Sequence, residues 1–171
     1  MLHRYRAWNS AMVTTASPAA VTTGTSIKTM LQLATPSTRQ IMLLGWGYSI
    51  DDPPGADAVV DLIQSDTAAT VTAHGASGVQ PINPGSPASL LTLGTSATGF
   101  TSSSETAPVT TKTFDAVSIS SVSAEAAAAM RYEYFWVPGE GPVVAVSSFV
   151  RLRATTPTTA VDMRCWIQWM E

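Results

Sequence analysis

Charge is what this chain has least of. Of its 171 residues only 12% are Asp, Glu, Lys or Arg, about half the usual share for a globular protein, and the net charge is −3. A chain like this presents a neutral surface that repels other proteins weakly and suits permanent assembly. With only Lys28 and Lys112 as lysines, no basic patch can neutralise a run of phosphates, which argues against nucleic acid as a direct partner. A single cysteine, Cys165, excludes an internal disulfide. The two histidines, His3 and His74, lie far apart and leave no donor set at zinc-ligand spacing. Long apolar runs are missing as well. No stretch approaches the ~20 residues of a membrane-spanning helix, and Met1–Ser10 lacks the apolar core of a signal peptide. The expectation is a chain made in the cytoplasm, with no membrane partner, no cofactor and no metal.

Alternation is abundant instead. In Ala160–Glu171, the residues Val161, Met163, Cys165, Ile167 and Trp169 fall on one side and Asp162, Arg164 and Gln168 on the other, a period of two that marks a strand covering a core. Cys165 on that apolar face reads as a buried, inert thiol. Further strands are predicted over Ile27–Ala34, Arg39–Asp51, Val59–Gln64, Thr67–Ala73, Thr111–Val122, Arg131–Val137 and Val143–Ala154, the last reading as an antiparallel neighbour of Ala160–Met170. In the second of these, Gly45 and Gly47 share one face, which suggests that a backbone or a bulky ring passes close by. Asp51–Gly55 and Pro138–Pro142 are turns. Ser123–Met130 has the highest helix propensity in the chain and suffices for two turns at most. Residues 1–25 show no sustained period and read as an extended N-terminal arm, with residues 26–171 as a single antiparallel, jelly-roll-like β-sandwich, an all-β fold.

Chemistry is harder to find. Asp51, Asp52, Asp57 and Asp61 crowd a Pro-rich turn where a hard cation is conceivable, but carboxylates beside Pro and Gly ordinarily serve backbone hydrogen bonding. Gly94–Gly99 holds one residue too many for a nucleophile elbow, and His74 has no carboxylate near it in sequence. The polar stretch 74–110 is long enough to be functional or to lie against a partner. The aromatic residues either stack on a sugar or pack a core and an interface. Trp166 interrupts the polar side of the last strand and is expected to meet solvent or another chain. Arg4, Tyr5, Arg6 and Trp8 are expected to dock on a neighbouring subunit or on their own sandwich, and deletion of residues 1–20 is expected to leave the sandwich folded.

The segments Gly45-Trp46-Gly47-Tyr48-Ser49-Ile50-Asp51, Pro138–Val144 and Arg151-Leu152-Arg153-Ala154, with Thr156-Pro157, Val161, Arg164-Cys165 and Trp169, resemble small β-proteins encoded among the virion-structural genes of tailed bacteriophages. The likeness covers about residues 26–65 and 130–171. It implies a head decoration protein, a jelly roll that gathers as a homotrimer on the capsid exterior and clamps subunits of the major capsid protein, with no catalytic residue. Arg4, Tyr5, Arg6, Trp8 and Trp166 are then the expected subunit or capsid contacts. The rival expectation is a carbohydrate- or receptor-binding sandwich of a head or tail fibre.

Overall fold

The last strand behaves as its alternation requires: Val161, Met163, Cys165, Ile167 and Trp169 are all buried. Around it, the computed structural model describes residues 2–12, 17–121 and 130–171. These hold β1 (Arg4–Trp8), β2 (Val21–Thr22), β3 (Lys28–Ala34), β4 (Ile41–Ile50), β5 (Ala58–Ser65), β6 (Thr70–Ala73), β7 (Val79–Pro81), β8 (Gly99–Ser104), β9 (Thr111–Ile119), β10 (Met130–Phe135), β11 (Val143–Val144), β12 (Phe149–Thr155) and β13 (Asp162–Met170). One 3-10 turn, Ala76–Gly78, joins them, and there is no α-helix among the described residues. The predicted helix over Ser123–Met130 lies outside the described residues except at Met130, which begins β10.

Two antiparallel sheets face each other. One runs β10-β4-β13-β1-β7, with β11 beside β4 and β2 beside β13; the other runs β6-β8-β3-β12-β5-β9. The pairs β1·β13, β3·β12, β4·β10 and β5·β9 are nested in sequence, and successive pairs alternate between the sheets. That nesting is the jelly roll, and the all-β sandwich expected from periodicity is what the chain forms. Strands β6, β7 and β8 belong to an insertion between β5 and β9 and extend the two sheets at one side.

Between the sheets lies one core, to which Tyr5, Leu31, Leu33, Trp46, Leu62, Leu152, Ile167 and Trp169 contribute. Burying a side chain as large as Ile167 stabilises the fold by about 2–3 kcal/mol. Strand β4 changes face midway. Gln168 pairs with Gly45 but Trp169 with Leu43, so Leu44 is an extra residue, and the inward set switches from Ile41 and Leu43 to Trp46, Tyr48 and Ile50. A bulge explains why both faces of this strand read as apolar.

Two expectations need correction. Segments 143–154 and 160–170 are not neighbours in one sheet: β12 lies in the six-stranded sheet and β13 in the seven-stranded one, so Thr156–Ala160 crosses between them. Residues 4–8 are not an arm either. Strand β1 pairs along its length with β13, from Arg4 opposite Met170 to Trp8 opposite Trp166, and on its other side with β7. Alternation within it sends Tyr5 and Ala7 into the core, and Asn9 then bonds the backbone of Met163 and Cys165.

Because β1 carries the ladder between β13 and β7, deletion of residues 1–20 is expected to abolish the cooperative thermal transition. Tyr5→Ala, which empties a core site stacked on Trp169, is expected to cost about 3 kcal/mol and to lower Tm by roughly 10 °C. Circular dichroism melts check both; a truncated chain that melts like the full one would show that β1 is dispensable.

Candidate functional site

On the outer face of the seven-stranded sheet, glycine makes room for rings. A Cβ at Gly45 would lie 2.5 Å from the Phe135 ring, and one at Gly47 would lie 2.7 Å from the Tyr132 carbonyl oxygen and 3.0 Å from the Trp166 ring. The expectation that a ring or a backbone crosses these glycines therefore holds. Phe135 and Trp166 meet at 5.3 Å between ring centres. The Arg6 guanidinium sits 4.6 Å over the Trp166 ring and donates to Gln168 Oε1 at 2.8 Å, a placement in which a cation meets the negative face of the indole. Trp8 tilts against Trp166 at 6.5 Å. Beside these rings is a hollow of about 350 Å³ lined by Trp8, Tyr48, Ser49, Arg131, Glu133, Arg164 and Trp166.

Sequence reasoning placed Arg4, Tyr5, Arg6, Trp8 and Trp166 at a contact surface. The fold brings Arg6, Trp8 and Trp166 together, but mainly against one another. Trp166 is only 4% exposed, covered by its own chain through Arg6, Trp8 and Phe135, where solvent or another chain was expected. Tyr5 faces the core, stacked on Trp169 at 5.9 Å with its hydroxyl donating to the Pro87 carbonyl oxygen. Arg4 is exposed. Missing from that prediction was the surface that is open: Tyr134, Phe135, Val137, Val143 and Val146 are exposed along β10, β11 and the segments that follow them. Their alternation with polar residues is poor, and only the position of β10 and β11 on the far side of β4 from β13 makes them one rim.

A polar knot closes the sandwich between β10 and β9. Asp115 Oδ2 accepts from Trp46 Nε1 at 3.1 Å and from the Tyr132 hydroxyl at 2.8 Å, joining the two sheets. Tyr48 stacks on Tyr132 at 5.8 Å. Burial and then the Asp115 charge push the Tyr48 phenol from 10.0 up to about 12. For Tyr132, burial followed by its hydrogen bond to Asp115 has the same result, about 12.

The remaining candidates disperse. Asp61 is held by Arg153, Nε at 2.8 Å and Nη2 at 2.6 Å, and Asp57 accepts from the Ser121 amide. Among the described residues no group of three or more His, Cys, Asp or Glu converges for a metal. His74 is buried, with Nε2 2.9 Å from the Trp8 carbonyl oxygen and its ring 4.8 Å from Phe100. Burial lowers its pKa, so the neutral ring donates to Trp8 and fastens β1. Cys165 is fully buried and its pKa is raised, as its place on the apolar face implied.

Both phenols ionise near 10.0 when unfolded and near 12 when folded. Stability is therefore expected to be complete below pH 10, to decline from there and to lose the phenol contribution as pH passes 12. Phenolate absorbance recorded alongside circular dichroism checks this, and early ionisation of every tyrosine in native protein would refute it. Asp115→Ala, which strands Trp46 Nε1–H and the Tyr132 hydroxyl, is expected to cost about 1–3 kcal/mol in urea unfolding. No family model, curated protein or solved structure matches this chain, whose surfaces stand on their own geometry.

Proposed function

We propose that this chain is a structural virion protein of a tailed bacteriophage: a capsid decoration protein that assembles as a homotrimer on the outside of the head and clamps neighbouring subunits of the major capsid protein. It works by shape and catalyses no reaction. The observation that carries this reading is the exposed apolar rim of Tyr134, Phe135, Val137, Val143 and Val146 on a chain with so few charges. An exposed apolar surface marks a place where another macromolecule sits. The resemblance of Gly45–Asp51, Pro138–Val144, Arg151–Ala154 and the residues of the last strand to small β-proteins encoded among the virion-structural genes of tailed bacteriophages supports it from another side. A protein that binds only the assembled lattice stabilises that lattice by mass action, without chemistry.

The hollow between Trp8, Trp166, Arg131, Glu133 and Arg164 favours a second reading, a carbohydrate- or receptor-binding sandwich of a head or tail fibre. Aromatic walls with charged groups at the rim suit a sugar ring.

Quantitative mass spectrometry of purified virions separates the two. A decoration protein is expected at a copy number comparable to that of the major capsid protein, and the double variant Val137→Ser, Val143→Ser is expected to lower capsid occupancy about tenfold or more, as loss of apolar anchors does. Absence from virions would overturn the capsid reading; a few copies per particle together with glycan-array binding would establish the fibre.

A further inference from the structure

An unpaired strand edge is a template for another strand, and proteins usually blunt it. Among the described residues the two sheets end in β6, β7, β9 and β10, and the two-residue strands β2 and β11 are also paired on one side only. Strand β6 is bulged on both sides of Val71, and β7 has three residues and ends in Pro81. Strand β9 carries Lys112 and a bulge at Phe114, because Leu62 pairs with Asp115 and Ile63 with Thr113. Strand β10 has none of these. It is regular from Met130 to Phe135, without Pro or Lys, and among the described residues nothing pairs with its far side.

The hydrogen-bond parity of β10 shows which groups are free. The Trp136 amide donates to the Leu44 carbonyl oxygen, and Tyr134 and Tyr132 stand opposite Trp46 and Tyr48 in the same register. Even-numbered residues thus bond β4, and Arg131, Glu133 and Phe135 point N–H and C=O outward. Their side chains also project from one face, where Arg131 and Glu133 form an exposed ion pair of 2.7 Å at 66% and 34% side-chain exposure. Such a pair contributes little to the monomer.

We propose that β10 pairs antiparallel with β10 of a second copy, about a two-fold axis at Tyr132. Two registers join odd-numbered residues to odd-numbered ones near the strand centre. Centred on Glu133, the pairing sets two carboxylates against each other. Centred on Tyr132, it sets Arg131 of each copy against the partner's Glu133, twice, in pairs that exchange both backbone hydrogen bonds, and brings the two Tyr132 rings side by side. Opposite charges across a ladder stabilise and like charges destabilise, so the second register is selected. An isologous contact of this kind is self-complementary and closes on itself. It adds two sheets into one and covers part of the apolar rim. It is read from parity and charge, independently of the capsid assignment; in a trimer it joins trimers two by two.

Light-scattering mass and sedimentation over a dilution series from about 0.1 to about 100 µM, which spans a micromolar contact, test it. Wild-type protein is expected to show a paired mass whose midpoint concentration rises on the order of tenfold or more on Arg131→Glu or on Glu133→Arg alone, because each variant faces like charges twice. The double exchange Arg131→Glu, Glu133→Arg is expected to restore the wild-type midpoint, and a mixture of the two single variants to pair at concentrations where neither pairs alone. Glu133→Pro, which removes an outward N–H and no bond to β4, is expected to raise the midpoint likewise with an unchanged melt. A monomer at all concentrations, or a mass indifferent to both exchanges, would overturn the pairing. A trimer indifferent to them would do so while leaving the capsid reading intact, and loss of virion incorporation with pairing preserved would do the reverse.

Discussion

Where β4 and β13 run side by side, from Met42 opposite Met170 to Ile50 opposite Met163, one ladder has to serve two opposite faces. Inward, it holds Trp46, Ile167 and Trp169 against the other sheet. Outward, it must be flat enough for Phe135 and Trp166 to lie across it, which the missing side chains at Gly45 and Gly47 permit. Strands β1 and β10 then flank this pair, one from each side. A larger residue at Gly47 would meet the Tyr132 carbonyl and the Trp166 ring at once, disturbing the outer aromatic layer and the β10 pairing together.

The long insertion between β5 and β9 is fastened by polar side chains as well as by Val79 and Leu91, which join the core. Gln32 is wholly buried, with its amide donating to Ala69 and Ala97 carbonyl oxygens and accepting from the Ala69 amide. Arg151, equally buried, reaches Thr29, Thr106 and the Glu105 carboxylate. Glu171 accepts from Ser89 and from the Leu90 amide, tying the loop to the chain terminus. The donors that Gln32 and Arg151 bury have partners, which is the condition for burying such groups at all. In β3, Gln32 alternates with Leu31 and Leu33 and so faces away from the core. Whether solvent is there depends on what else folds over it.

Two ion pairs, Arg151 with Glu105 and Arg153 with Asp61, are turned inward, and with only 12% of its residues charged the chain's open surface is mostly neutral or apolar. A surface of this sort discriminates partners by shape and by backbone pairing more than by field. The regular edge of β10 and the rim of β11 lie along one side of β4, so the two features that invite association are continuous.

By itself the sequence determined the sandwich class, the inward set of β13, the close passage of a backbone or a ring over Gly45 and Gly47, and the burial of Cys165. All of these follow from a period of two or from the size of a single residue, and neither needs a partner strand to be known. Tertiary structure alone decided that residues 4–8 form a strand inside the roll, since only two of its side chains face inward and its ladder partner lies at the other end of the chain. It also decided that β12 and β13 part into different sheets, that Leu44 is bulged, and that Trp166 is covered by its own neighbours. Pairing between distant segments chooses which of two chemically similar faces is closed, and alternation cannot express that choice because it records only that two faces exist.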